Sequence, residues 1–404
     1  GRNTRIHLPV APSCNIQCNY CLRKYECANE SRPGVTARIL TPSEALERFL
    51  EARKLLGKID VAGIAGPGDA LAEFDNARET FTLIREADSG VTFCLSTNGL
   101  LLPRHARDLA ELGVSHVTVT VNAASPAEGR RVYRHVRYDG KNYTGAEGAA
   151  ILLENQYEGI SRLAELGIVT KVNIVMLKGI NDGIIPKIAA KVKEAGADMT
   201  NIMQLIPVRG AIFEHIPMVS NAELNEARKT CEAILPQMYH CRQCRADAAG
   251  TLDEDISFRF SDGSDRGEQN ALADTAGDSA GQPLVFAAAS KNGIAVDQHF
   301  GRASAFYVYR YESGKVEFIE KRDVSVYCRG QENCGHNAAE WHEDGLNGIL
   351  DALGDCDGVI AMRIGDEPHR RLAEQGIRFF TTYDYVTDAV KKFGKNFDRE
   401  ALRA

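Results

Sequence analysis

The sequence lacks several features that would assign it at once to a familiar class of protein. No apolar run approaches the roughly 18 residues of a membrane span, so we expect no membrane segment. No block of Lys and Arg stands out among the 48 basic and 55 acidic residues, which disfavours a dedicated nucleic-acid-binding protein. Nothing resembles a secretory signal peptide. Together these absences predict a cytoplasmic protein.

Cysteine is present in an unusual amount, with 11 residues in a chain of 404. An odd count in a chain of this size disfavours a disulfide scaffold, which is typical of small secreted proteins with paired cysteines. Hydrophobic residues make up 44% of the chain, enough to bury a sizeable core. Clustered cysteines in a cytosolic protein more often hold metal or perform redox chemistry, so the sequence predicts a metalloprotein.

Short β-rich runs alternate with amphipathic stretches up to about residue 235. The predicted strands are Ile6–Ala11, Ile59–Ala65, Val91–Ser96, Val114–Val121, Ile168–Met176 and Met199–Ile206. The predicted helices are Pro42–Leu56, Asn76–Ala87, Pro103–Leu112, Ala149–Leu166 and Ile184–Ala195. Six β/α repeats predict an α/β fold, a parallel sheet that curls into a partial (β/α)6 TIM-like barrel over residues 1–248. In such barrels the chemistry lies at the carboxyl ends of the strands.

The composition changes after the barrel, where residues 249–283 are predicted to be an acidic flexible linker. Ser261–Pro283 contains five acidic residues, one basic residue and four glycines, too little apolar surface to offset chain entropy. Residues 284–404 are predicted to form a second, smaller α/β domain. Its predicted elements are a strand from Leu284, a hairpin turning at Ser313–Gly314, strands Val359–Met362 and Arg378–Thr381, and helices Ala338–Leu353 and Pro368–Gln375.

Cys14, Cys18 and Cys21 form a CxxxCxxC motif on the loop after the first predicted strand. Three thiolates at this spacing can bind three corners of a cubic [4Fe–4S] cluster and leave the fourth iron open to a substrate. A Cys3His zinc site, with His7 or another histidine as the fourth ligand, is the alternative.

This motif, with Tyr20 as the aromatic residue before the third cysteine, resembles that of the radical S-adenosylmethionine (SAM) superfamily. The resemblance implies that the open iron binds the amino and carboxylate groups of SAM and that electron transfer yields a 5′-deoxyadenosyl radical. It also implies a set of SAM-binding residues at the ends of successive strands: Tyr20, Gly66, Gly68, Asp69, Ser96, Asn98, Thr120, Asn122, Val172 and Asn173. Within this set the glycines would let backbone approach the SAM amino group, and Val172 would pack on adenine. Taken singly, the glycines also fit a plain turn and the polar residues fit helix caps.

Several stretches resemble one family within that superfamily more closely, the enzymes that build the precursor of the nitrogenase iron–molybdenum cofactor. These stretches are HLPVAPSCNIQCNYCLRKYECANESRPGV, AGPGDAL, LSTNGL, VTVTVNA and VNIVMLKGIND. The resemblance implies a radical SAM enzyme that fuses two [4Fe–4S] clusters, K1 and K2, and inserts a SAM-derived carbide and a sulfide. The product is an [8Fe–9S–C] precursor.

The same resemblance implies further ligands. His7, Cys27 and Cys94 match the K1 ligands, and Cys241 and Cys244 match two K2 ligands. A third K2 cysteine is expected upstream of Gly1. Glu30 is implied as an oxygen ligand or proton acceptor. The residues alone leave other interpretations open: Cys94 as an ordinary buried side chain, and Cys241 and Cys244 as a redox pair or half of a zinc site.

In the second predicted domain, Val296–Arg302 and Cys334-Gly-His336 resemble the NifX-like family of nitrogenase accessory proteins. This implies a ribonuclease-H-like fold that binds cofactor precursors, with His299, Cys334 and His336 near a cluster; a solvated loop is the alternative. Cys231 is predicted to lie in the core. Cys328 and Cys356 receive no assignment, and His105, His116 and His135 are predicted to be surface or structural residues.

The predicted partners are an electron donor, an iron–sulfur cluster donor and downstream carrier or scaffold proteins of nitrogenase assembly. Two other functions remain open from the sequence. One is a radical SAM peptide or cofactor maturase with auxiliary clusters at Cys241 and Cys244, and the other is an iron–sulfur carrier without catalysis.

Overall fold

The computed structural model describes residues 3–22, 33–208, 210–239, 241, 244–251, 256, 283–291, 293, 296–326, 338–382 and 384–397. Contacts divide the chain into two compact units, one within residues 3–256 and the other within 283–397. Several sequence predictions concern residues outside this description: the segment 261–282, Cys27, Glu30, Cys328, Cys334 and His336.

The first unit is an α/β structure of ten strands and seven α-helices within the described residues. Its strands are β1 Arg5–His7, β2 Ile16–Cys18, β3 Val61–Ile64, β4 Thr92–Thr97, β5 Val114–Thr120, β6 Tyr133–Tyr138, β7 Lys141–Tyr143, β8 Val169–Met176, β9 Met199–Gln204 and β10 Ala249–Gly250. Its helices are α1 Pro42–Leu56, α2 Phe74–Ala87, α3 Leu102–Glu111, α4 Pro126–Val132, α5 Gly145–Glu165, α6 Ile185–Glu194 and α7 Asn221–Glu232.

The main sheet has the strand order β10-β1-β3-β4-β5-β8-β9. Six of these strands are parallel, and β10 pairs antiparallel with β1 at the edge. The predicted six-stranded parallel half-barrel is therefore confirmed. Phe93 of β4 stacks on Phe81 of α2 with ring centroids 4.5 Å apart. Because successive strand residues point to opposite faces, Cys94 and Ser96 lie on the concave face of the sheet.

Local sequence signals explain where α1 begins. The Thr41 side chain accepts a hydrogen bond from the Glu44 backbone N–H, and the Glu44 side chain accepts one from Thr41, a complete capping box with Pro42 in the first turn. This pairing satisfies N–H groups that a helix start leaves without partners. The helix spans the residues predicted from the sequence.

A small second sheet of order β2-β6-β7 holds the cysteine loop. Cys18 in β2 pairs with Tyr133 in β6, and Ile16 pairs with Val136. The Asn19 backbone N–H donates to the Val132 carbonyl at 2.9 Å. The sequence gives no signal for this sheet. The sheet fixes the backbone of the CxxxCxxC motif from both sides of Cys18.

The second unit is a mixed sheet of order β13-β12-β11-β14-β15 with three α-helices among its described residues. The strands are β11 Leu284–Ala289, β12 Ala305–Glu312, β13 Lys315–Asp323, β14 Gly358–Ala361 and β15 Arg378–Thr381, and the helices are α8 Ala338–Leu353, α9 Asp366–Glu374 and α10 Val386–Lys395. The β12–β13 hairpin turns at Ser313 and Gly314, both with positive φ, as predicted. A smaller C-terminal α/β domain is thus confirmed, and its ribonuclease-H-like class stays a prediction.

Among the helices that the structure describes, each is too short or too polar to cross a bilayer.

Candidate active site on the concave face of the barrel

The three cysteines of the CxxxCxxC motif are partly buried, and none forms a disulfide. The side-chain amide of Gln17 donates to the carbonyl oxygens of Cys18 at 3.0 Å and Cys21 at 2.7 Å. The Cys21 backbone N–H also donates to the Cys18 carbonyl. These bonds close a turn from Gln17 to Cys21. Three partly buried thiols in one short loop, two of them on a fixed turn, fit the ligand set of a [4Fe–4S] cluster.

Asn98, at the carboxyl end of β4, contacts this loop directly. Its Nδ2 lies 3.6 Å from the Cys14 sulfur and 2.7 Å from Oδ1 of Asn15. An amide donor beside a ligating sulfur is one of the contacts through which proteins tune iron–sulfur potentials. The structure therefore places Asn98 against the cysteine loop. The predicted contact of Asn98 with SAM stays a prediction.

Asn122 holds Tyr20 of the motif in place. The Asn122 side chain is fully buried; its Nδ2 donates to the Tyr20 hydroxyl at 2.9 Å, and its Oδ1 accepts from the Val175 backbone N–H at 2.8 Å. Burial first, and then the nearby Cys18, raise the pKa of Tyr20 well above its usual value. No surface of Asn122 is left for a ligand. We therefore assign Asn122 to positioning of the loop instead of direct SAM contact.

The glycine-rich segment after β3 packs on the backbone that leads into the cysteine loop. A Cβ at Gly68 would lie 2.0 Å from the Ser13 carbonyl oxygen. The Gly68 N–H donates to the Ala11 carbonyl at 2.6 Å, and Gly66 has the positive φ of 127°. This close approach of two backbones explains why Gly68 is glycine without invoking a ligand. An approach of the segment to SAM stays a prediction.

Asp69 joins that segment to the end of β4. Its carboxylate accepts from the Thr97 hydroxyl at 3.0 and 3.1 Å, and from the backbone N–H groups of Leu71, Ala72 and Asn98 at 3.0, 3.2 and 2.5 Å. Burial raises the pKa of Asp69, and these donors oppose that shift. Asp69 is only 3% exposed, so its role here is to hold the end of β4 against the segment that follows β3.

We predict that Asp69→Ala destabilises the barrel. The change leaves the buried backbone N–H groups of Leu71 and Asn98 without their acceptor, and each such donor costs about 1–3 kcal/mol, so the expected loss is at least about 2 kcal/mol. Urea unfolding measures it. Asp75→Ala is the matched control, because Asp75 is highly exposed and pairs with Arg78 on the surface of α2; it should cost less than about 1 kcal/mol. Equal losses in the two variants would contradict this role of Asp69.

Polar side chains form a row across the ends of the next strands. Thr120, Asn173 and Asn201 are register neighbours on β5, β8 and β9, and Asn201 Nδ2 donates to Asn173 Oδ1 at 2.9 Å. Ser96, Thr120 and Asn173 are partly exposed, as a ligand site on the concave face requires. Asn201 was missed by the sequence analysis because its strand reads as a plain β-run.

Gln156 of α5 is another residue that the sequence analysis missed. It is fully buried, and its Nε2 donates to the carbonyl oxygens of Asn98 at 2.7 Å and Thr120 at 2.9 Å. One side chain thus ties together the ends of two strands that carry predicted SAM-binding residues. An amide inside the apolar stripe of a long helix is the signal that predicts such a bridge.

Val172 lies on the other side of the sheet. It is fully buried in the main core, and Lys171 and Asn173 on either side of it point to the concave face because strand residues alternate. The adenine contact predicted for Val172 is therefore not available in this structure. The side chain is part of the helix-facing core.

His7 and Cys94 come together across Gly63. His7 of β1 is the register partner of Gly63 of β3, and Gly63 is the partner of Cys94 of β4. The His7 Nδ1 lies 3.1 Å from the Arg245 carbonyl oxygen. A proton on Nδ1 leaves the lone pair on Nε2, the atom available to a metal. Burial raises the pKa of the Cys94 thiol to about 11, against the opposing charge of Lys171.

Cys241 and Cys244 lie in a polar and cationic setting. The Arg5 guanidinium donates to the Cys244 sulfur at 3.1 Å, and the Cys241 sulfur lies 3.9 Å from the Met203 sulfur. By contrast, Cys231 is buried in the main core, as predicted, and Cys356 lies in the core of the second unit. Burial raises the pKa of Cys231 to about 11 and of Cys356 to about 12.

No three His, Cys, Asp or Glu side chains of the described ranges lie close enough to share one metal ion. A cubane needs a wider arrangement, because each thiolate binds a different iron.

In the second unit, His299 is buried. It is 9% exposed, and its Nδ1 accepts from the Gly301 backbone N–H at 3.1 Å. Burial, followed by the charges of Arg302 and Arg363, lowers the pKa of His299 to about 3. Its Nε2 has no hydrogen-bond partner among the described residues. The alternative of a solvated loop does not hold for this side chain.

Comparisons with known proteins agree with both units. The family model for the radical SAM superfamily matches residues 8–192, and the model described as dinitrogenase iron-molybdenum cofactor matches residues 282–396. The chain is 40% identical to the FeMo cofactor biosynthesis protein NifB of Sinorhizobium fredii, with 96% of this chain and 83% of the relative covered. It is 38% identical to NifB of Klebsiella pneumoniae, covering 93% and 84%, and 37% identical to NifB of Chlorobaculum tepidum, covering 96% and 88%.

Proposed function

This chain belongs to the NifB family, the radical SAM proteins of FeMo cofactor biosynthesis, and from that membership we propose that it fuses two [4Fe–4S] substrate clusters, K1 and K2. Two cubanes supply eight irons and eight sulfides. An [8Fe–9S–C] product therefore needs one further sulfide and one carbon, and we assign the carbon to SAM. The proposed partners are an electron donor, a cluster donor and a carrier or scaffold protein that receives the product.

Cys14, Cys18 and Cys21 would hold the resident cluster. When bound, that cluster supplies the electron that cleaves SAM. The chain's own residues orient the site: Asn98 donates to the Cys14 sulfur, and Asn122 holds Tyr20. The partly exposed side chains of Ser96, Thr120 and Asn173 line the concave face, where they offer hydroxyl and amide groups to the ribose and carboxylate of SAM.

The observation that carries the fusion proposal is that β1, which bears the proposed K1 ligand His7, contacts the segment that bears the proposed K2 ligand Cys244. Arg5 and His7 lie on the same face of β1, since strand residues alternate. The Arg5 guanidinium reaches Cys244, and the His7 ring reaches the carbonyl of the next residue, Arg245, both at 3.1 Å. The proposed K1 ligand His7 and the proposed K2 ligand Cys244 therefore lie on neighbouring backbone. Cys27 as third K1 ligand and Glu30 as oxygen ligand or proton acceptor stay predictions from the resemblance.

Reconstitution tests this function. The full chain is loaded anaerobically with iron and sulfide and then given dithionite and SAM. Its product is added to nitrogenase that lacks its cofactor, together with molybdenum and the remaining assembly proteins. We expect acetylene reduction to appear only when SAM is present. SAM cleavage without a product that activates nitrogenase would indicate another radical SAM maturase. No SAM cleavage by the cluster-loaded chain would indicate a carrier.

We propose that residues 284–404 hold or hand over the product and take no part in catalysis. The match to the iron–molybdenum cofactor family model supports this division, as does the buried His299, whose Nε2 has no partner in the described residues. The neutral ring donates from Nε2, because Nδ1 accepts from Gly301. A sulfide of an anionic cluster is a suitable acceptor.

A chain that ends at residue 263 should retain SAM cleavage and precursor formation, with weaker retention of the product. The end point keeps Ile256, which packs in the barrel core, and Thr251, whose carbonyl accepts from Arg5. Product retention is measured as iron that elutes with the protein after gel filtration, and His299→Ala in the full chain is the matched variant. Loss of SAM cleavage in the soluble, cluster-loaded shorter chain would show that the second unit belongs to the active site.

A further inference from the structure

Gly63 occupies the space between two proposed cluster ligands. A Cβ at this position would lie 2.6 Å from the Cys94 sulfur and 3.3 Å from Cδ2 of the His7 ring. A real Cβ essentially never approaches another heavy atom within 3.0 Å. The His7 side chain from β1 and the Cys94 side chain from β4 thus both extend over Gly63 of β3. They occupy the volume that a side chain at position 63 would fill.

The backbone gives no reason for a glycine here. Gly63 is not among the glycines with positive φ, and it pairs in regular parallel register with both neighbouring strands. A glycine inside a strand weakens it, because glycine loses more conformational entropy on folding than other residues do. Ala62, the preceding residue of β3, is fully buried on the opposite face. The absence of a side chain at position 63 therefore leaves space on the concave face of the sheet.

We propose that Gly63 is a positioning residue that lets His7 and Cys94 reach a single iron–sulfur cluster. This inference rests on the proposed function, because it takes His7 and Cys94 as ligands of the K1 substrate cluster. Gly63 itself gives no side-chain ligand. Because Gly63 has no side chain, the Cys94 sulfur can occupy the space above β3 on the side of His7.

The effect of filling that volume follows from the side-chain chemistry. The Cys94 sulfur is attached through one rotatable bond, so the chain can relieve a contact with a new methyl group by changing χ1. A change between staggered rotamers moves the sulfur by roughly 3 Å. The chain should therefore still fold, but the thiol would leave the position in which it shares a cluster with His7.

Gly63→Ala tests the inference in the full chain, with Gly183→Ala as the matched control. Gly183 also lacks a positive φ, and a Cβ there meets no heavy atom within 4 Å. After anaerobic loading with iron and sulfide, we expect Gly63→Ala to retain about four irons fewer per chain than Gly183→Ala, the content of one cubane. The EPR signal that SAM perturbs, which reports on the Cys14, Cys18 and Cys21 cluster, should persist.

A double variant distinguishes positioning from a general structural effect. If Gly63 acts through Cys94, then Gly63→Ala added to Cys94→Ala should remove no further iron. Full iron content in Gly63→Ala overturns the inference. Loss of the SAM-sensitive EPR signal, or losses of iron that add in the double variant, also overturns it, since either shows a general disturbance. Full iron content in Cys94→Ala alone would instead refute the K1 assignment within the proposed function.

Discussion

Cys18→Ala is expected to abolish formation of 5′-deoxyadenosine while the barrel stays folded. Cys18 is partly exposed at the end of β2, and its backbone pairing with Tyr133 does not depend on the thiol. The soft iron sites of a cluster favour sulfur ligands, so alanine cannot replace the thiolate. The measurement is chromatography of 5′-deoxyadenosine after anaerobic loading with iron and sulfide, followed by addition of dithionite and SAM.

Cys356→Ala is the control for this prediction. It removes a buried thiol of the second unit whose pKa is raised to about 12, and SAM cleavage should match that of the parent chain. Cys14→Ala and Cys21→Ala should behave as Cys18→Ala does, since a cluster with an open iron needs all three thiolates. Undiminished 5′-deoxyadenosine formation in Cys18→Ala would show that the SAM cluster is bound elsewhere.

Signals contained within one element made the fold predictable from the sequence. The capping box at Thr41 and Glu44 defines the start of α1, and the predicted bounds of that helix are the observed ones. The first strand is shorter than predicted, Arg5–His7, because Pro9 cannot donate to a strand ladder. The β2-β6-β7 sheet was missed, since β2 is three residues long and shows no alternation that distinguishes it from a loop.

The site was less predictable because its residues act through partners on other elements. The roles of Gln156 and Gly63 depend on contacts that form only in the folded chain. Gln156 donates to the carbonyls of Asn98 and Thr120, and Gly63 lies beside Cys94. Nothing in the sequence around Gly63 distinguishes it from a turn glycine. Val172 and Asn173 were both predicted to bind SAM, but neighbouring strand residues point to opposite faces of the sheet, so only one of the two can lie on the concave face.

The second large effect is expected for the K1 ligands. The combined Cys27→Ala/Cys94→Ala chain should lose about one cubane of iron and all precursor formation, yet still cleave SAM. Cys94 lies across Gly63 from His7. The three cysteines of the CxxxCxxC motif follow β1 in a different segment, so the two proposed sites are distinct. Cys27 lies outside the described residues and enters from the family resemblance. Iron analysis, 5′-deoxyadenosine formation and nitrogenase activation are measured on the same preparation.

Cys231→Ala provides a closely matched control for this variant. Cys231 and Cys94 are thiols of the same unit whose pKa values burial raises to about 11, so both changes remove a similar protonated thiol from the barrel. Only Cys94 faces a histidine across an open volume, and only its loss should lower the iron content. His7→Ala should reproduce the effect, because its Nε2 carries the lone pair when Nδ1 donates to Arg245. Iron content equal to that of Cys231→Ala in the combined variant would place the substrate cluster elsewhere in the chain.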